Sequence, residues 1–217
     1  MNPLAEQLNQ EIAQSNPQLL EMLSGVGRQL FFPKGILSQS AEAKEKAHRI
    51  NATIGIAKEQ GGIMRFDTVM SSIDGIPESE ALSYAPSFGI PALRERWREQ
   101  LYVKNPSLAE KKISLPVVTC GVTHGVSLFA DIWLDPGDVV ILPDLMWGNY
   151  NMILNVRKGA RLRQYDLFDA DGRYNLSSFA KAIEEEARQS KKIAVILNFP
   201  QNPTGYTFLE EEADAVV

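Results

Sequence analysis

Three short stretches carry residue types that could do chemistry. In Thr119-Cys120-Gly121-Val122-Thr123-His124-Gly125 two glycines mark the passage from the apolar "LPVVTC" into "GVSLFADIWL". If a helix opens there, its first backbone N–H groups, the Thr123 hydroxyl and the positive end of the helix dipole could hold a phosphate. A plain strand-to-helix turn is the alternative. In "PDLMWGNY" Trp147 follows the apolar run "VVIL" by a few residues. Its indole could lie on a flat ligand, though a large aromatic there also serves as core. In "NFPQNPTG", after "IAVIL", Pro200 and Pro203 cannot donate to a ladder, so a strand must stop. Asn202-Pro203-Thr204-Gly205 then makes a turn that mounts the Asn202 amide rigidly. Each signal is weak alone; in order and at successive strand ends they suggest a planar, phosphorylated ligand.

The elements that must position these groups alternate between strand and helix. The spacing predicts strands at "LPVVTC", "VVILP", "RLRQYDL" and "KKIAVILNFP", with helices "GVSLFADIWL", "YNMILNVRKG" and "LSSFAKAIEEEARQS" between them. The Ile193–Leu197 run has no polar alternation, as suits a parallel strand covered on both faces. The expected fold class is α/β, a mostly parallel sheet with helices on both faces. Ligands of such sheets collect at the carboxyl ends of the strands. Upstream, residues 4–23 read as helix with a break at Pro17, "SQSAEAKEKAHRI" as a serine-capped helix, and "PALRERWREQL" as an amphipathic helix. Residues 51–82 are irregular and suit a crossing between subdomains. The expected division is an N-terminal helical segment over 1–82 and a sheet domain beginning at 83.

Composition narrows the function classes. The chain has 217 residues, 44% hydrophobic and 23% charged, an ordinary globular balance, and its net charge of −5 argues against a general polyanion-binding surface. One cysteine, Cys120, excludes an intrachain disulfide, and two histidines, His48 and His124, make a multi-histidine metal site implausible. No metal is expected. Cys120 is expected as a small buried hydrophobe and His124 as a satisfied polar residue in the first helical turn. Neither a signal peptide nor an apolar run of membrane-spanning length is seen, so a cytoplasmic location is expected, without nucleic-acid or membrane partners.

At these residues the sequence resembles the pyridoxal-phosphate enzymes of the aspartate aminotransferase superfamily, fold type I. "YAPSFGIPALRERW" is similar to the family's Y-x-P-x-x-G-x-x-x-L-R segment. "TCGVTHGVSLFADIWLDPGDVVILPDLMWGNY" resembles its strand, phosphate loop, helix, PGD turn, strand and aromatic block, and "NFPQNPTG" its N-x-P-x-NPTG motif. The resemblance covers roughly residues 83–217 and is specific because the motifs occur jointly and in order. It implies that Gly121, Val122 and Thr123 bind the phosphate of pyridoxal 5'-phosphate and that Trp147 stacks on its ring. Asn202 would hydrogen-bond the ring's phenolic oxygen, and Tyr84 would reach the phosphate of a neighbouring subunit, so a homodimer is implied. "INATIG" would correspond to a turn that meets the substrate carboxylate, making Gly55 the contact.

The resemblance also implies an aspartate, a Schiff-base lysine and an arginine beyond the NPTG motif, and none can be assigned here. The chain ends within the helical "LEEEADAVV", so it is read as the N-terminal portion, truncated at Val217, of an aminotransferase that acts on amino acids and 2-oxo acids. By itself it is expected to be inactive and poorly soluble, with an open sheet edge. The alternatives are a lyase or decarboxylase on the same fold and a non-catalytic ligand-sensing domain. A generic nucleotide-binding module ranks last, for want of a GxGxxG or GxxxxGK[ST] motif.

Overall fold

Short polar side chains start the first helices. The computed structural model describes residues 1–31, 36–51, 53 and 57–216, without the side chains of 36–38. Asn2 Oδ1 accepts from the Leu4 N–H at 2.9 Å and opens α1 (Pro3–Ser15). Asn16 ends α1 and caps α2 (Pro17–Met22), with Pro17 at the first helical position, where a missing N–H costs nothing. Ser24 caps α3 (Gly25–Gln29). There follow α4 (Ile36–Lys46), a small antiparallel pair β1 (Lys58–Glu59) and β2 (Gly62–Ile63), α5 (Asp67–Ser71), α6 (Glu78–Ala81) and α7 (Pro91–Lys104). The chain continues through α8 (Val122–Trp133), β3 (Val139–Pro143), a π-helix at Asn151–Arg157, β4 (Arg161–Tyr165), α9 (Leu176–Ala187), β5 (Ile193–Val195) and α10 (Glu210–Val216). Two compact units result, Met1–Phe31 with Cys120–Val217, and Phe32–Thr119.

In the first unit β4, β3 and β5 form a parallel sheet in that order, with β3 in the centre. Every residue of β3 is buried. Because side chains alternate along a strand, Val140 and Leu142 face one layer and Val139 and Ile141 the other. The first layer holds Ala130 of α8 and Leu134 just after it, with Tyr150, Ile153 and Leu154 on and just before the π-helix. The second holds Phe179 and Ala182 of α9 with Tyr165, Leu167 and Tyr174, backed by Phe199 and Phe208. This double cover is what the apolar strands predict. β5 is an edge among the described strands: Ile196 N still donates to the Ile141 carbonyl at 3.0 Å, while Val195 and Leu197 stay partly exposed. Among the described residues no helix is long and apolar enough to cross a membrane.

One predicted strand does not form. Residues 115–120 make no strand, and within the second unit the backbone groups of Pro116 and Val118 are engaged elsewhere. Arg94 Nε donates to the Pro116 carbonyl at 2.6 Å, Val118 N donates to the Phe88 carbonyl at 3.0 Å, and Pro116 has no N–H. Cys120, expected inside, is consequently exposed. The segment "YNMILNVRKG" is helical as expected but wound as a π-helix over most of its length.

A buried ion pair joins α9 to β4. Glu186 is nearly inaccessible, and Arg161 grips it in two-pronged fashion, Nη1 to Oε1 at 2.8 Å and Nη2 to Oε2 at 2.5 Å. The Arg161 hydrogen bond holds the Glu186 carboxyl below its ordinary value of 4.5. A depressed carboxylate pKa gives stability that is complete above the unfolded value and is lost as pH falls through the folded one. Arg161→Met is therefore expected to cost about 2 kcal/mol at neutral pH, the half-exposed guanidinium keeping it below the range for a fully buried pair. Urea unfolding at pH 7 and again well below pH 4.5 checks this, since the difference from wild type should shrink on acidification.

Candidate functional site

α8 begins at Gly121, whose φ of +81° is open to glycine and strained for any other residue. A Cβ there would meet nothing within 4 Å among the described residues. Among the described residues no side chain caps this end, and Val122 and Thr123 in its first turn are exposed. His124 turns back on the loop instead, its Nδ1 accepting from the Cys120 N–H at 3.1 Å. It is thus the satisfied first-turn residue that the sequence suggests.

Trp147 stands on the loop that follows β3. The ring is half-buried against the α8 layer and meets Tyr150 edge-on, centroids 5.4 Å apart. It therefore serves as packing as well as lying at a strand end. Asp144 fixes the start of this loop to β4: its N–H donates to the Tyr165 carbonyl and its Oδ1 accepts from Leu167 N, both at 2.9 Å. Burial raises the Tyr150 phenol above its ordinary value, so it stays protonated as a neutral wall.

After β5 the chain makes the predicted turn, with the Phe199–Pro200 and Asn202–Pro203 bonds both cis. Gln201 N donates to the Tyr206 carbonyl at 2.6 Å and Gly205 N to the Gln201 carbonyl at 2.7 Å, leaving Asn202 exposed at the tip. The Gln201 side chain reaches across to the Leu145 carbonyl in the Trp147 loop. Further along, Glu212 of α10 accepts from Tyr206 Oη at 2.7 Å, from Leu209 N at 2.9 Å and from Tyr174 N at 3.2 Å. Burial works against that carboxylate, but the three donors together hold it below its ordinary value. An apolar cleft of about 310 Å³ lies among Gly125, Val126 and Phe129 of α8, Tyr150, and Val195–Leu197, so the start of α8 sits beside the end of β5.

Of the sequence candidates, Gly121, Val122, Thr123, Trp147 and Asn202 thus belong to one unit and to its strand-end side. Tyr84 lies in the other unit with its side chain fully open to solvent. Gly55 lies outside the described residues. Sequence reasoning missed Gln201, Tyr150 and the Tyr206–Glu212 pair. A polar residue wedged between two prolines is the one signal that could have pointed to Gln201.

The family model for aminotransferase class I and II matches residues 62–217. The chain is 27% identical over 185 residues to the aspartate aminotransferase of Bacillus sp. (strain YM-2), covering 85% of this chain and 45% of that one. It is 31% identical over 180 residues to a probable aspartate/prephenate aminotransferase of Aquifex aeolicus, covering 83% and 44%. Among solved structures, an aminotransferase from Anaerococcus prevotii superposes with a TM-score of 0.72 at 32% identity, covering 83% of this chain and 44% of that one. The aspartate aminotransferase of Thermus thermophilus, at 20% identity and a TM-score of 0.66 over 89% and 49%, shares the fold. The chain spans a little under half the length of the curated relatives it matches. With Gly121–Thr123, Trp147 and the NPTG turn all inside the matched region, the chain belongs to the aminotransferase class I and II family.

Proposed function

We propose that these residues form the phosphate- and ring-holding part of a pyridoxal-phosphate-dependent aminotransferase, which moves an amino group from an amino acid to a 2-oxo acid. The carrying observation is the meeting of three elements on one side of the parallel sheet: the exposed first turn of α8 at Val122 and Thr123, the Trp147 loop and the Asn202 turn. The donor set suits the cofactor. N–H groups of Val122 and Thr123 after Gly121 would hold the phosphate, helped by the helix dipole. Trp147 would lie on the ring, and the exposed Asn202 amide would donate to the phenolic oxygen. When bound, the cofactor supplies the electron sink for amino transfer, and the protein's part is to bind, orient and tune it. Tyr84 would serve a neighbouring subunit, which makes a homodimer part of the proposal, and Gly55 is the proposed contact of the substrate carboxylate.

The 217 residues by themselves are proposed to be inactive. The four lysines of the sheet-bearing unit stand away from the carboxyl ends of the strands. Lys158, Lys191 and Lys192 lie next to the amino ends of β4 and β5, Lys192 paired with Asp138, and Lys181 is exposed on α9 near Glu185. None offers the amine that the chemistry needs at the other end. A cofactor fixed to any of these lysines by borohydride, read by peptide mass, would count against this.

The test is cofactor binding and 2-oxo-acid-dependent amino transfer by the protein made from its native gene, with Asn202→Ala alongside. Asn202 is exposed, so the variant should unfold within about 0.5 kcal/mol of wild type while binding the cofactor about tenfold more weakly. Absence of cofactor binding, or equal affinity in the variant, overturns the reading.

A further inference from the structure

Gln201 is buried to 4% exposure at the edge where the candidate groups gather. Its amide is used in two directions. Oε1 accepts from the Thr204 N–H at 3.0 Å and the Thr204 hydroxyl at 2.8 Å, closing the turn that carries Asn202. Nε2 donates to the Leu145 carbonyl, in the loop that carries Trp147. Asp144 already ties that loop to β4 on one side, and Gln201 ties it to the end of β5 on the other. A buried amide is costly unless its donors and acceptors are met, so the arrangement is specific for glutamine. Glutamate would keep the acceptor toward Thr204 and lose the donor toward Leu145; leucine would lose both.

We propose that Gln201 is a positioning residue: through its donor to Leu145 it fixes the Trp147 indole relative to the Asn202 amide, and so sets how a planar ligand is held between them. The identity of that ligand rests on the function proposed above; the tie itself does not.

Acrylamide quenching of Trp147 tests the tie without any cofactor, after the other tryptophans of the native-gene protein, Trp97 and Trp133 among them, are replaced by phenylalanine. Quenching should rise about twofold in Gln201→Leu and, at pH 7, in Gln201→Glu, because the loop is released locally. Thr204→Ala removes a partner of Oε1 and spares the donor to Leu145, so its quenching should match wild type. Arg161→Met, which destabilises the same unit at a different place, should match it too. Wild-type quenching in Gln201→Glu, or an equal rise in all the variants, overturns the proposal. If Gln201→Leu does not fold, Gln201→Glu against Thr204→Ala decides alone. Pyridoxal phosphate is then added to the native-gene protein. No binding by wild type would sink the cofactor reading and leave the tie standing, whereas equal binding by wild type and Gln201→Glu would cut the tie's link to the ligand.

Discussion

Leu142→Ala is expected to lower the unfolding free energy by about 3 kcal/mol. Leu142 is fully buried in β3, the central strand, and faces the layer built by Ala130, Leu134, Tyr150, Ile153 and Leu154. β3 is paired on both sides, to β4 over five residues and to β5 over three, so the backbone cannot move in to fill the space left behind. The loss is then the transfer free energy of the missing carbons plus an uncollapsed cavity. Val195→Ala on the edge strand, where the side chain is 38% exposed, should cost under about 1 kcal/mol. Urea unfolding of both variants checks the pair: the midpoint should fall much further for Leu142→Ala with the slope unchanged. Equal losses would mean that β3 is not the packed centre of the unit.

Gly89→Ala should be nearly as damaging, by about 2–4 kcal/mol, for a reason that has nothing to do with lost contacts. Gly89 has φ +98°, and a Cβ built there would lie 2.2 Å from Val118 Cγ2 and 2.6 Å from Val118 Cβ. The obstacle is the branched stem of a valine whose own N–H is held by the Phe88 carbonyl at 3.0 Å, so Val118 cannot swing aside without breaking that bond. The helix α7 that follows is tied to the same segment through Arg94 and the Pro116 carbonyl. Val118→Gly should recover the steric part of the loss and leave the dihedral part, so the double variant should fall between wild type and Gly89→Ala. Equilibrium unfolding of the four species, read as a double-variant cycle, provides the measurement; additive losses would rule out the clash. The glycine of "YAPSFGIPALRERW" thus has a physical reason local to its own unit.

Much of the sheet was legible because its signals are local. "VVILP" and "RLRQYDL" read as strands and form β3 and β4, the break read at Pro17 separates α1 from α2, and "YNMILNVRKG" read as a helix is helical. The failures also have a cause. "LPVVTC" carries the same β-branched apolar pattern, yet its hydrogen bonds go to Phe88 and Arg94, some twenty to thirty residues earlier in the chain. Intrinsic pattern cannot see a competitor at that distance, and Cys120 was misjudged with it. The same holds at the candidate site. Gly121, Trp147 and Asn202 stand out by type and by position after apolar runs, whereas Gln201 has no distinctive type and acts through Leu145, 56 residues away.

By itself the sequence determined the residue types that chemistry needs, their order, and the apolar strands that bring their ends to one side. These follow from hydrophobic period and from the backbone limits of glycine and proline, which act over a few residues. Only the tertiary structure decided which partner each polar group takes. It gave Trp147 an edge-on contact with Tyr150, folded His124 onto the Cys120 N–H, and joined the Trp147 loop to the Asn202 turn through one buried amide. Hydrogen bonds between distant segments are chosen by packing, because a buried polar group must find a partner wherever the assembled core puts one.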